Sequence, residues 1–536
     1  MKCPVQDAGY QARRSCSNFG LQSCKPSLST PEALRVGGLS YNRSPGGLDL
    51  IRPMILAMCV GGYLFTTATV SLAQSNSFSL NAEQAQAEAV HFLADLVRID
   101  TQDPPGDESK VAHYLEGVLK REGIASEILE PVPGRASIVA RLKGNGKKRP
   151  LLIMGHEDVV PVDRSHWTVD PFAASERDGV IYGRGASDDK AMVAANLEVF
   201  LQLKRMRVPL DRDVIFLSEA SEEMSSPAGM ATIVDRYWDK IDCEFALNEG
   251  GGSLVENGTV KYFGVATAEK LPRGLRLEAT GSSGHGSVPR VDNAVVHLAA
   301  AVAKAGTWDT PARLNETTRA FFERLATISA PEEAAWYRNV LDAKVQEEFK
   351  HKKPQYYSMV RTSVVPTMLN AGYKSNVIPP SAEATLDVRA LPDEDLVKFR
   401  EMLAAIINDP QVKVVAEDTS LSMPAAPPSK LGTEMFAALE RAQKQVSPEA
   451  ITLPTMTTGA TDSSFLRAKG VQAYGIGVPK TEEENRGVHG NDERIEGKQL
   501  GLFVRYLFAA VTGVAAPSQQ FRTATSKESE ARSGAQ

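Results

Sequence analysis

Leu151-Leu-Ile-Met-Gly155, followed at once by His156-Glu-Asp158, decides the fold. The run is apolar, short enough for a strand, and ends in groups that carry chemistry. Outward from it, strand and helix signals alternate. Ala136–Leu142 reads as a strand, Lys190–Met206 as a helix and Val214–Ser218 as a strand. Pro227–Tyr237 reads as a helix and Glu244–Asn248 as a strand. This alternation predicts an α/β sheet with helices on both faces. Such sheets gather ligands at the carboxyl ends of their strands. Upstream, Asn81 reads as the N-cap of a helix with Val90, Leu93, Ala94 and Val97 on one stripe. A second helix runs from about Ser109 to Arg121. His91 and His113 read as surface residues of these two helices.

The pattern changes near residue 272. Leu275–Thr280 and Glu383–Arg389 alternate, Asn293–Lys304 is helical, and 306–360 is charged and helical. Residues 272–394 are therefore expected to form an inserted α+β domain between two parts of the larger one, 80–271 and 395–514. The second part carries a helix from about Gly432 to Gln445 and a strand over Gln472–Gly477. The polar segment 515–536 has no period and reads as a disordered tail.

Composition narrows the function. The 536 residues are 42% hydrophobic and 24% charged with a net charge of −6, so a sizeable core is available and no dense basic stripe invites nucleic acid. Cys3, Cys16, Cys24 and Cys59 precede residue 60, leaving Cys243 alone in the rest. One thiol makes neither an internal disulfide nor a cysteine-based zinc site. Residues 54–73, MILAMCVGGYLFTTATVSLA, follow Arg52 and end in Ser71-Leu-Ala73, the pattern of a secretory signal and its cleavage site. Export is expected, with a membrane anchor if the run is not cleaved and no other membrane segment. The leader 1–53 is longer than a signal needs, which suggests a start further downstream.

Five segments concentrate the chemistry: Gly155–Pro161, Tyr182-Gly-Arg-Gly-Ala-Ser-Asp-Asp-Lys190, Ser221-Glu-Glu-Met224, Asn248-Glu-Gly-Gly251, and Val488-His-Gly-Asn-Asp-Glu-Arg-Ile495. Each sets a His, Asp or Glu just after an apolar strand or in a glycine-rich loop. Imidazole and carboxylate suit zinc and similar divalent ions, and carboxylates can bridge two of them. Singly each is weak. Asp188-Asp189 could be a helix N-cap, Glu222-Glu223 a solvated pair, and Glu249 a turn residue. Other motifs fail. Val160 stands where a His-Glu-x-x-His protease has its second histidine, Asp188 would repel a pyrophosphate in the Gly183-Arg-Gly-Ala-Ser loop, and no Gly-x-Ser-x-Gly elbow occurs.

In this order the five segments resemble the di-zinc metallohydrolases of peptidase family M20, which include acetylornithine deacetylase, succinyl-diaminopimelate desuccinylase, aminoacylase and glutamate carboxypeptidase. The resemblance spans about residues 82–512. It is nearest to the long-lid branch of vacuolar carboxypeptidase and N-acyl amino acid hydrolases, through His156, Val159-Val-Pro-Val162, Trp167, Pro171-Phe172, Tyr182-Gly-Arg-Gly185 and His489-Gly490 with Glu493-Arg-Ile495. It implies a mixed-sheet exopeptidase domain with an inserted lid that also dimerises.

The roles it implies are these. His156 and Glu249 bind one ion, Glu223 and His489 the other, and Asp188 bridges both. Asp158 holds the His156 ring. Glu222 is the general base beside a hydroxide held between the ions. His285, in Gly281-Ser-Ser-Gly-His-Gly-Ser-Val-Pro289, reaches the partner subunit's site and polarises the scissile carbonyl. Asn376, Arg389 and the backbone of Gly459 bind a free α-carboxylate, which suits a guanidinium fork. Two divalent ions are implied, zinc by preference, with cobalt and manganese as alternatives. The expected substrate is a short peptide or an N-acyl amino acid. A specific biosynthetic deacetylase or desuccinylase is the alternative enzyme, against which the export signal and long lid argue. A non-catalytic binding protein would not need the complete set. Two departures stand out: Glu157, which reads as a solvated side chain, and Asn491-Asp492 after His489.

Overall fold

A computed structural model of the chain describes residues 78–517 apart from 225 and 418–422. The leader, the signal segment 54–73 and positions 518–536 of the expected tail lie outside the described residues. Asn81 caps the first helix, Ala82–Val97, by accepting from the Gln84 N–H. His91 and His113 are exposed on their helices.

Leu151–His156 lies in the middle of a nine-stranded mixed sheet. The order is Ser126–Val132, Arg135–Leu142, Val214–Glu219, Leu151–His156, Phe245–Asn248, Gln472–Gly475, Thr259–Glu269 and Ile451–Thr457, with Leu254–Glu256 beside Thr259–Glu269. Leu151–His156 runs parallel to both of its neighbours, whereas the Ser126–Leu142 hairpin joins antiparallel. Side-chain alternation divides the core. Leu151 and Ile153 pack under the helices Ala82–Val97, Lys190–Arg205, Glu434–Val446 and Gly497–Ala515. Leu152 and Met154 pack on the other face with Ile233 of Met230–Arg236 and Leu466 of Ser463–Ala468. An apolar run buried on both faces is what a central parallel strand requires.

The smaller domain is a five-stranded antiparallel sheet in the order Leu271–Pro272, Ser381–Ala390, Leu275–Thr280 and Val412–Ala416, with Ser363–Ala371 also pairing with Ser381–Ala390. Helices Ala294–Thr307 and Leu396–Ile407 supply its core through Leu298, Ala301, Phe399, Leu403 and Ile407. Its limits differ from the expected 272–394 in two ways. Val412–Ala416 pairs with Leu275–Ala279, so the segment after 394 still belongs to this sheet. The helices between Glu316 and Met359 do not. Phe321, Phe322, Leu325 and Phe349 bury themselves against Leu453 and Met456 on the edge of the large sheet. Charge content suggested an excursion, but the apolar stripe of Glu316–Leu325 chose the larger core.

Candidate metal centre

His156 ends the central strand, and the loops after neighbouring strands converge on it. Its Nε2 lies 3.1 Å from Asp188 Oδ1 and 4.0 Å from Glu249 Oε2. The other oxygen of Asp188, Oδ2, lies 3.1 Å from His489 Nε2, which is also 3.0 Å from Glu223 Oε1. Asp188 thus faces one imidazole with each oxygen. Asp189 also reaches the His156–Glu249 side. The charges act on one another. The Asp188 and Glu223 carboxylates push His489 up to about 10. Burial opposes ionisation of Asp188, yet the two imidazoles beside it hold it below the usual carboxylate range. Burial, reinforced by Glu249, pushes Glu222 up. So many carboxylates around two imidazoles call for positive charge, and the nitrogen and oxygen donors are those that divalent ions of the zinc type accept. The donor set fits such ions.

The loops are fixed from beneath. Asp158 is fully buried and accepts the backbone N–H groups of Glu222 at 3.1 Å and Glu223 at 3.0 Å. The His156 ring is nearer to the Asp158 carbonyl, 3.0 Å from Nδ1, than to its carboxylate at 3.5 Å. Asp158 therefore orders the Glu222–Glu223 turn as well as the imidazole. His489 has φ +59°, a left-handed conformation that non-glycine residues hold only under external constraint.

The sequence model of Peptidase family M20/M25/M40 matches residues 152–512. The chain belongs to this family. The human N-fatty-acyl-amino acid synthase/hydrolase is 30% identical over 452 residues, covering 81% of this chain and 89% of that protein. Aminoacylase-1 of Sus scrofa is 27% identical over 443 residues, covering 81% and 98%. Among solved structures, the M20 family metallo-carboxypeptidase Sso-CP2 from Sulfolobus solfataricus shares the fold. Its TM-score is 0.61 at 19% identity, covering 80% of this chain and 99% of that one. The chain is a metal-binding hydrolase of amide bonds, built on an M20 catalytic domain with its lid.

Within that family frame, the predicted ligands His156, Asp188, Glu223, Glu249 and His489 meet at one place, with Glu222 and Asp158 beside them. Among the described residues, His285, Asn376 and Arg389 make no hydrogen bond or ion pair with this group. His285 is exposed, its Nδ1 2.7 Å from the Ser287 hydroxyl, on a two-residue ladder with Val377 and Ile378. Asn376 is exposed and accepts the Gly286 N–H through its backbone carbonyl. Arg389 grips Asp387 at 2.8 Å. Gly459 follows the strand Ile451–Thr457, near Thr461, whose N–H donates to Glu269.

Glu157 corrects an expectation. It is fully buried, neither of its oxygens has a partner, and burial pushes its carboxyl well up, so a solvated reading is wrong. Residues outside the predicted set also hold the site. Glu493 is buried and accepts from Ser187 N at 2.8 Å, Asp188 N at 3.0 Å and Arg184 Nη1 at 2.6 Å. Arg184 also donates to the Gly490 carbonyl at 2.9 Å, tying the loop of Asp188 to that of His489. Lys190 is buried and donates to the carbonyls of Leu96 and Ile99, anchoring the same turn to the first helix. Arg184, Lys190 and Glu493 all stood inside the quoted segments. What no spacing disclosed was which of them turn inward.

Proposed function

We propose that this enzyme hydrolyses the amide bond of N-acyl amino acids or short peptides that carry a free α-carboxylate. The observation that carries the reading is the Asp188 carboxylate set between His156 and His489, with Glu222 on the adjoining loop. The names of the relatives, an N-fatty-acyl-amino acid synthase/hydrolase and an aminoacylase, support this substrate class. His156, Asp188 and Glu249 would hold one divalent ion, and Asp188, Glu223 and His489 a second, with zinc the preferred metal. When bound, such ions polarise a carbonyl and make water a nucleophile near neutral pH. Glu222 takes the proton of the attacking water and returns it to the leaving amine. Asp158 keeps the Glu222 backbone in place. Arg389, Asn376 and the Gly459 backbone receive the substrate carboxylate, and His285 steadies the developing oxyanion from a second copy of the chain.

A lid-mediated homodimer is part of the reading. Val365 and Met368, opposite Asp387 and Thr385 on one face of Ser363–Ala371, are 52% and 68% exposed, and Leu369 on the other face is 65% exposed, so both faces of this strand present apolar side chains to solvent. We also propose export, directed by residues 54–73. The mature amino terminus then lies near Gln74, and sequencing the secreted protein checks it. No helix among the described residues is long and apolar enough to cross a membrane.

The test is hydrolysis by the purified enzyme across N-acyl amino acids, dipeptides and their carboxamides, with metal analysis and with chelator. About two metals per chain are expected, with activity lost on chelation and poor turnover of carboxamides. Chelator-resistant activity, or equal turnover of carboxamides, overturns the reading.

A further inference from the structure

The Glu222 loop is gripped by residues outside all five segments. Ser221 has φ +70°, a conformation a serine keeps only when held. Its carbonyl packs on Gly229, where a Cβ would lie 2.8 Å away. Its hydroxyl donates to Asp103 Oδ2 at 3.2 Å and lies 2.5 Å from the Ser226 hydroxyl. The same oxygen of Asp103 is 2.5 Å from Arg135 Nη2, and Arg135 also binds Glu108 through Nε at 2.5 Å. Asp103 and Glu108 are buried, and Arg135 nearly so. Arg135 passes directly over Gly106, whose φ is +72° and where a Cβ would lie 2.1 Å from Nε, so any other residue there would displace the guanidinium.

The backbone of this segment grips the opposite wall of the site. Asp103 N donates to Val159 O at 2.9 Å, Val159 N to Thr101 O at 3.1 Å, and the Thr101 hydroxyl to Glu157 O at 2.6 Å. Residues 101–108 therefore link the loop after His156 to the loop before Glu222. A buried ion pair is a weak source of stability, since apolar replacements often do as well. One that ends on the loop of a general base supplies geometry, where a misplacement of about 1 Å can cost about 100-fold in rate.

We propose that Asp103 is a positioning residue for Glu222, acting through the Ser221 hydroxyl. The inference rests on Glu222 being the base. The test compares Ser221→Gly, Asp103→Asn, their double variant and Glu222→Gln in the metal-loaded enzyme. Kcat, KM and metal content are read for each. Glycine suits the left-handed conformation, so Ser221→Gly removes the hydroxyl without threatening the turn. The expected result is a kcat lower by about 10–100-fold in both single variants, with KM within about twofold and metal retained. The double variant should be no worse than the poorer single one, because both cut one link. A wild-type kcat in Ser221→Gly beside an inactive Glu222→Gln overturns the positioning role and leaves the base intact. Additive losses, or losses that follow the metal, also overturn it. An active Glu222→Gln overturns the base assignment first. If Asp103→Asn does not fold, Ser221→Gly decides alone.

Discussion

The two halves of this enzyme treat their polar groups in opposite ways. On the large sheet, Asp158, Glu493 and Arg184 are buried and spend their hydrogen bonds on the loops that carry the proposed metal ligands, and buried Lys190 ties the Asp188 turn to the end of the first helix. On the lid, His285 and Arg389 turn to near neighbours of their own, Ser287 and Asp387, and the strand Ser363–Ala371 is left largely uncovered. The first arrangement is preorganised and complete within one chain. The second leaves its side chains on one another or in solvent, and on the proposed reading it is completed only by substrate and a second copy of the chain. Preorganised groups lose catalysis when a single atom changes, whereas groups that must be recruited lose it when the encounter fails.

The sharpest way to break the contrast lies in the Glu222-Glu223 pair. Glu222→Gln keeps shape but accepts no proton, so kcat should fall by about 10²–10⁴-fold with metal content intact. Glu223→Gln should instead lower metal occupancy, because a ligand is lost. Elemental analysis beside turnover checks both, and equal behaviour of the two would mean that neighbouring carboxylates here are not specialised.

On the lid side, His285→Ala should lower kcat by roughly 10²–10³-fold, the worth of an oxyanion donor. Mixing it with Glu222→Gln distinguishes a histidine supplied by the partner. Randomly reassembled dimers should recover roughly a quarter of wild-type activity, because half of them carry one intact site. No recovery after demonstrated exchange would place His285 in its own subunit's site. Smaller again is Arg389→Met, which should raise KM by about 10–100-fold for carboxylate substrates with little change in kcat. It should leave carboxamide substrates unaffected.

The same contrast explains what was legible in the sequence. The central strand and its parallel neighbours were legible as apolar runs, and His156, Glu223 and Glu249 stand where those runs change abruptly to ionisable residues, whereas Asp188 and His489 lie in glycine-rich loops beside helices. Thr259–Glu269 and Ile451–Thr457 were missed, because mixed small, polar and aromatic residues give them no clean period. The helices between Glu316 and Met359 were assigned to the wrong domain, since periodicity shows that a stripe is buried but not against what. Glu157 was misread because one buried carboxylate without a partner looks, in sequence, like any solvated one. Asp103 and Arg135 are 32 residues apart and meet only through the fold, so no spacing could pair them.

The smallest expected effect concerns a buried carboxylate that no loop uses. Glu198, on the helix Lys190–Arg205, has only Gln202 as a partner at 2.8 Å, and its Oε2 has none. Glu108, equally inaccessible, has the Arg135 fork. Burial raises Glu198 from the usual carboxylate value to about 7, with Glu88 and Glu122 adding to the rise and Arg205 opposing it. A raised acid keeps its proton in the folded state at a pH where the unfolded chain has released it. Between about 4.5 and 7 the native state therefore binds more protons, and stability falls as pH rises. The loss should be on the order of 3 kcal/mol across that window, complete above it and absent below. Glu198→Gln removes the titration, so its unfolding free energy should lack this part of the slope while kcat stays near wild type. Denaturant unfolding of both proteins at pH 4.5, 6 and 8 measures the difference. Parallel curves would mean that this half of the molecule solvates Glu198 after all, and that its preorganisation is looser beneath the helix than at the site.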